Sequence, residues 1–266
     1  MTDAPMNSIY KEWLSDRPGY KSLRKWNPHL PEIIIERHPK EKDDSAGFVS
    51  RVITGAPGTG KSMYAYMIGA KTFWLFDGCS RDEDIEDCYR QSLNSIIYRP
   101  DELFKRVKEQ RKKTEPMLLL IVDDCSVHMG RALFDQDRKT YRRLQGTIPT
   151  LREDTTGLLI TTPKTVLLAK PWREFIDYKC EIRSVSTYKE NRRIATHYYK
   201  RYFPDDIKFR VQAPFRERFS SLCPLPFYQW YLDKKRKALN EYQAMCDRLG
   251  VMLEDESEEP EDDNGE

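Results

Sequence analysis

Three short stretches of the chain place reactive side chains at spacings suited to chemistry on a phosphate. The first is G-A-P-G-T-G-K-S, Gly55 to Ser62. Glycines at this spacing let backbone N–H groups turn inward around a β-phosphate; Lys61 adds a positive charge at the β/γ-phosphates, and the Ser62 hydroxyl is suited to Mg²⁺. The expected nucleotide contacts are Gly55, Ala56, Pro57, Gly58, Thr59, Gly60, Lys61, Ser62 and Met63. The second stretch, M-L-L-L-I-V-D-D, ends in Asp123 and Asp124. Beside a phosphate loop, Asp123 is expected to hold Mg²⁺ through water, and Asp124 to orient the attacking water and accept its proton. The third, L-L-I-T-T, ends in Thr161 and Thr162, one of which is suited to hold the water or sense a γ-phosphate. Together they point to attack of water on a nucleoside triphosphate, with ATP and Mg²⁺ as the implied ligands.

These residues need strands that end where they stand. Val52 to Thr54 read as the end of a buried strand, and Met63 to Ala70 as a helix without proline. Leu118 to Val122 are consecutive apolar residues, the pattern of a strand buried on both faces, with acids following at its carboxyl end. Leu158 to Thr162 read as a third buried strand, and Asp177 to Ser186 resume a strand pattern. Asp101 to Lys113, with Leu103, Phe104 and Val107 on one face, has the spacing of an amphipathic helix. A basic helix with Arg138, Lys139, Arg142 and Arg143 precedes breaks near Gly146 and Pro149. Thr72 to Phe76 are expected as a strand or helix end, Ser95 to Tyr98 as a short strand, and the β-branched run in Glu32 to Arg37 as a strand. The fold class is therefore α/β, a parallel sheet flanked by helices.

At 266 residues and 39% hydrophobic content the chain can bury a full core, most simply one α/β domain with additions. It has no apolar run of membrane-spanning length and no secretory pattern at its start, so a soluble, cytoplasmic protein is expected, the host cytoplasm if it is viral. Cys79, Cys88, Cys125, Cys180, Cys223 and Cys246 form no C-x-x-C pair and are expected as reduced thiols. His29, His38, His128 and His197 are scattered, and no structural metal is expected. The net charge of +2 hides an asymmetry: Glu254 to Glu266 carries nine acids and no basic residue, leaving +11 on the rest. A basic body suits a polyanionic partner such as DNA, although solubility also explains charged surfaces. The tail is expected to be disordered.

From about residue 184 the pattern changes to hairpin strands, Ser184 to Thr187, Ile194 to Phe203 and Ile207 to Val211, then a helix over Phe227 to Leu249. Arg192, Arg193, Lys200 and Arg201 are interleaved with Tyr198, Tyr199, Tyr202 and Phe203. Such strands grip phosphates and stack on bases, or equally form one packed and one solvated face of an antiparallel sheet. The expected divisions are a lead-in over 1–47, an ATPase core over 48–183, a basic extension over 184–253 and the acidic tail over 254–266.

The order of phosphate loop, L-L-L-I-V-D-D, basic helix and L-L-I-T-T resembles the core of the AAA+ ATPases, over about residues 48–183. The paired Asp residues are similar to those of replication-initiator and helicase-loader ATPases of the DnaA/DnaC kind, and V-D-D-C-S-V-H resembles ATPases carried by archaeal viruses and plasmids. The resemblance implies a P-loop NTPase fold, Lys61 and Ser62 at the phosphates and Mg²⁺, Asp123 at Mg²⁺, Asp124 at the water, and Thr161 or Thr162 as first sensor. It also implies Arg173 as an arginine finger completing a neighbour's site, hence a homo-oligomer, with Arg142 and Arg143 as competitors. Two departures stand out: no helical lid with a second sensor arginine is legible after residue 183, and no sequence-reading DNA module appears. Three functions follow: ATP hydrolysis coupled to DNA handling, with a replication or packaging protein as partner; an ATP-switched protein-assembly factor; and a small-molecule kinase. A guanine-reading N-K-x-D motif is absent.

Overall fold

The computed structural model describes residues 26–39, 47–81, 84–131, 137–176, 178–185, 192–203, 206–221, 223 and 225–257. Its centre is a seven-stranded sheet. In chain order the strands are β1 (Val49–Thr54), β2 (Ile96–Ile97), β3 (Met117–Val122), β4 (Thr155–Thr161), β5 (Tyr178–Ser184), β6 (Arg192–Phe203) and β7 (Asp206–Ser220), and in space the order is β2-β3-β4-β1-β5-β6-β7. The first five in that spatial order pair in parallel. The last two join antiparallel, so the C-terminal hairpin extends the same sheet. The fold is thus α/β, mostly parallel, with antiparallel C-terminal strands and the topology of a P-loop NTPase.

Among the described residues the α-helices are α1 (His29–Glu36), α2 (Lys61–Phe76), α3 (Asp84–Ser95), α4 (Pro100–Gln110), α5 (Cys125–His128), α6 (Arg138–Thr147), α7 (Leu151–Asp154), α8 (Lys170–Phe175) and α9 (Leu225–Ser257). One face of the sheet, with Val52, Leu120, Val122, Leu158 and Ile160, packs against Leu103, Phe104 and Val107 of α4, Tyr141 and Leu144 of α6, and Trp172 of α8. On the other face Gly157 of β4 closes against Ile34 of α1 and Leu119 of β3, and Gly69 of α2 against Ser92 of α3 and Ile121 of β3. β1, β3 and β4 are therefore covered on both faces, which is why β3 and the Leu158–Ile160 part of β4 read as unbroken apolar runs, while β1 also buries Ser50 and Arg51.

Two expectations need correction, on residues 32–37 and on the start of the tail. Residues 32–37 belong mainly to a helix, not a strand: Leu30, Pro31 and Ile34 are buried at helical spacing. Pro28 brings α1 no side-chain cap; instead the Glu217 carboxylate accepts from the backbone N–H of His29 at 2.9 Å and of Leu30 at 3.4 Å. A cap supplied from almost 190 residues away overrides the β-branched preference. Thr72 to Phe76, expected as a strand or a helix end, are the helix end and complete α2. The acidic tail is not wholly irregular, since α9 runs through Ser257; residues 258–266 lie outside the described set. Cys79 and Cys88, nine positions apart, approach to 3.8 Å between sulfurs and are free thiols, the reduced state expected. The aromatic lead-in before Trp26 also lies outside the described residues, as does Cys246's side chain.

By compactness the chain divides into residues 1–228 and 229–266. The second unit is the body of α9, with side-chain hydrogen bonds one turn apart, Gln229 to Asp233 and Gln243 to Asp247. No described helix is long and apolar enough to cross a membrane.

Candidate nucleotide site

β1 lies between β4 and β5, and the chain leaves its carboxyl end as the glycine loop before entering α2. Gly60 is the residue preceding the helix, at φ 90°, a left-handed conformation that costs a side-chain-bearing residue about 1–2 kcal/mol. Gly55, at φ 150°, has no room for a Cβ, which would lie 2.6 Å from the Ile182 carbonyl oxygen of β5. Gly60 brings no capping side chain to the first turn of α2, the end at which helix N–H groups and the macrodipole favour an anion. Inside the turn, Thr59 Oγ1 donates to the Ala56 carbonyl at 2.8 Å, and Lys61 Nζ donates to the same oxygen at 2.9 Å. Lys61 is therefore folded across its own loop and is 7% exposed. Ala56, Pro57 and Gly58 are exposed, Ser62 is half-buried, and Met63 is buried.

The acids and threonines converge from the next two strands. Thr161 Oγ1, at the end of β4, donates to Asp123 Oδ1 at 2.5 Å and accepts from the backbone N–H of Asp124 at 2.8 Å. One hydroxyl thus fixes the carboxylate of the first acid and the backbone of the second. Asp124 adopts φ 48° as it opens α5, a turn that separates its half-exposed side chain from the buried Asp123. The same segment is bound to the loop strand: the Thr162 N–H donates to the Ile53 carbonyl at 3.0 Å, and the Gly55 N–H to the Pro163 carbonyl at 3.4 Å. Thr162 itself turns away, its hydroxyl donating to the Lys164 carbonyl. Of the two threonines, the structure joins Thr161 to the acids and leaves Thr162 outside that group.

Ser62 and Asp123 offer hard oxygen donors, the set Mg²⁺ takes when substrate phosphates and water complete its shell. Among the described residues no group of three or more His, Cys, Asp or Glu forms a protein cage for a metal. The donor chemistry therefore fits a cation brought in with a phosphate, held by Ser62 and Asp123, where it would neutralise phosphate charge.

The arginines are dispersed. Arg173 is exposed on α8, the helix whose Trp172 is buried in the core. Arg142 is exposed on α6, and Arg143 of the same helix lies over the Phe104 ring at 4.0 Å. The four basic residues expected to grip nucleic acid do not form one group. Arg192 and Arg193 pair with Ser220 and Phe219, whereas Lys200 and Arg201 pair with Val211 and Arg210. Eight residues of extended strand separate the two pairs by on the order of 25 Å.

A buried polar network not foreseen from sequence joins α2 to the hairpin. Tyr64 Oη donates to Glu217 Oε2 at 2.5 Å and contacts His197 Nε2 at 3.0 Å, and that nitrogen lies 3.4 Å from Glu217. Burial by itself would raise the Glu217 pKa, but hydrogen bonds from His197, Tyr64 and the His29 amide outweigh it and hold the carboxyl below its ordinary range. Burial pushes His197 down, opposed by Glu217. Arg51 of β1, 4% exposed, stacks on the Tyr178 ring at 4.1 Å and adds positive charge to the same interior. In sequence these residues are isolated polar positions in unrelated elements; only the alternation of Phe215, Glu217 and Phe219 hinted that Glu217 faces inward.

No family model matches the chain, and no curated protein does. Among solved structures it is similar to the N-terminal domain of zonular occludens toxin from Neisseria meningitidis, at 12% identity over 64% of this chain and 95% of that one, with a TM-score of 0.35. It is likewise similar to another solved structure, an ATPase domain, at 8% identity over 71% of this chain and 87% of that one, again with a TM-score of 0.35. The fold assignment rests on the sheet order and the glycine loop, and these neighbours add no residue to the site.

Proposed function

We propose that the chain binds ATP with Mg²⁺ at Gly55–Met63 and hydrolyses it, in the manner of an AAA+ ATPase. The observation that carries this is the Thr161 hydroxyl, which locks Asp123 and Asp124 together at the strand ends beside the glycine loop. In this reading the loop amides and Lys61 bind the phosphates, and Ser62 and Asp123 hold the cation. Asp124 takes the proton of the attacking water, and Thr161 positions both acids. Paired acids next to the reacting phosphate favour water as acceptor over the hydroxyl substrate of a kinase.

The coupling we propose is to DNA, in replication initiation, helicase loading or packaging, as part of a virus or plasmid. It is supported by the +11 charge outside the tail and by the basic strand positions Arg192, Lys200 and Arg201. Exposed Arg173 is the proposed finger to a neighbouring copy in a homo-oligomer, with Arg142 next and Arg143 disfavoured by its packing on Phe104. Steady-state ATP hydrolysis with and without single- and double-stranded DNA tests this, with Lys61→Ala as control. Stimulation by DNA is expected only in the unaltered protein. Turnover indifferent to DNA would favour the protein-assembly factor, and no turnover above the control would remove the hydrolase reading.

A further inference from the structure

Pairing and close approach place one arginine beneath the phosphate loop. At its start the loop touches β5, where Gly55 meets the Ile182 carbonyl. At its end it touches β7: a Cβ on Gly60 would lie 3.2 Å from Ser221 Cβ and 4.0 Å from the Phe219 ring. The loop therefore spans from β5 to β7, and the strand between them is β6. On β6, Arg193 stands opposite Ser184 of β5 and Phe219 of β7. Residues directly opposite in a sheet share a face, and on this face alternate residues include His197, which contacts Tyr64 of α2, and Glu217, which bonds it. Arg193 is next but one to Ala195 in the row from His197, on the α2 side of the sheet and at its loop end. The Tyr64–Glu217–His197 contacts and the packing of Phe219 on Tyr64, with ring centres 4.8 Å apart, hold this end of the hairpin against α2.

The orientation of a bound nucleotide follows from the acids. Asp123, Asp124 and Thr161 stand at the ends of β3 and β4, on one side of β1, so in the proposed reading the phosphate to be cleaved faces that side. The remainder of the nucleotide extends to the other side, across β5, β6 and β7. Arg193 is half-buried there, with Nη1 donating to the neighbouring Arg192 carbonyl at 3.0 Å and Nε buried without a hydrogen-bond partner among the described residues.

Resting on the nucleotide reading above, we propose that Arg193 is a nucleotide-binding residue. It reaches from the hairpin to the phosphate nearest the nucleoside, in cis and opposite the catalytic acids. A guanidinium gives that phosphate a charge-assisted donor whether or not the γ-phosphate is present. Its effect therefore falls on ATP and ADP alike and on affinity more than on turnover.

Equilibrium binding of fluorescent ATP and ADP analogues to the full chain, with Mg²⁺, and to Arg193→Ala and Arg193→Lys tests this. The alanine variant is expected to weaken both nucleotides about tenfold or more in parallel, with kcat changed less than about threefold and lysine restoring part of the loss. Thermal unfolding without nucleotide separates misfolding from lost binding, and Arg218→Ala, exposed on β7 opposite Ile194 and so on the other face, is expected to leave both affinities within about threefold. Unchanged affinities in Arg193→Ala, or a loss confined to DNA binding, would overturn the proposal while leaving the nucleotide reading intact. Failure of the unaltered chain to bind either nucleotide would instead remove that reading, and this one with it.

Discussion

The two halves of the sheet bury different things. From β2 to β1 the strands are mainly apolar, with Ser50 and Arg51 of β1 and Thr155 and Thr156 of β4 buried among them, and Asp123, Thr161 and the glycine loop gather where the parallel strands stop. From β5 to β7 polar groups lie inside: Cys180, Thr196, His197 and Glu217 are all buried, and Tyr64 and Arg51 face them from α2 and β1. The parallel half can hold its chemistry at the edge because both faces are covered by helices. In the antiparallel half the burial of Glu217 is sustained by donors from three other elements, α1, α2 and β6. The difference separates labour: one half presents reactive groups, and the other fixes the loop-bearing helix against the hairpin.

That division can be broken from the hairpin side first. Glu217→Gln keeps one acceptor oxygen for α1's first N–H groups but puts an NH2 donor where Tyr64 and His197 meet a carboxylate, and is expected to cost about 2–3 kcal/mol in urea unfolding. Full stability in this variant would mean that the network is incidental. Acid sharpens the same contrast. His197 and Glu217 both sit below their ordinary values of 6.5 and 4.5, so as pH falls the unfolded chain takes up protons before the folded one. Stability is then fully present above pH 6.5 and declines below it, through His197 and afterwards, under pH 4.5, through Glu217. His38, also depressed by burial, adds the same sign. The urea midpoint should be lower at about pH 5 than at about pH 7; a flat profile would contradict the assignment.

On the parallel side the expected signature is kinetic. Thr161→Val keeps the shape of the side chain but removes the hydroxyl shared by Asp123 and Asp124. It should lower kcat about tenfold, the worth of one hydrogen bond of about 1.4 kcal/mol, with ATP affinity little altered. Thr162→Val, whose hydroxyl bonds only its own turn, should leave kcat near the unaltered value. The smallest effect expected lies away from both regions. Asp137 caps α6 through the Thr140 N–H at 2.9 Å, and Asp137→Ala should cost about 1 kcal/mol in stability without touching turnover.

How much of this was legible depended on whether the signal is local. β3 and the Leu158–Ile160 part of β4 show in sequence because burial on both faces forces contiguous apolar residues; β1, which also buries Ser50 and Arg51, shows only as Val52 and Ile53 ahead of the loop, whose backbone turns require glycine at fixed places. α1 did not, because its cap is Glu217, and nothing near Ile33–Ile35 records that. Thr161 and Thr162 are alike in sequence; only the register of β4 beside β3 turns one toward the acids. Arg192, Arg193, Lys200 and Arg201 read as one basic cluster because sequence compresses a strand that spreads them along the length of β6. Arg193 belongs to the loop end only once β5, β6 and β7 are in register.

The central claim is that the Asp123 group beside the glycine loop cleaves a nucleoside triphosphate. Single-turnover hydrolysis of ATP with Mg²⁺ by the unaltered chain and by Asp123→Asn, with ATP binding measured in parallel, tests it most directly. The account predicts cleavage slower by on the order of 100-fold in the variant, with the nucleotide still bound. Equal rates in the two proteins would contradict it.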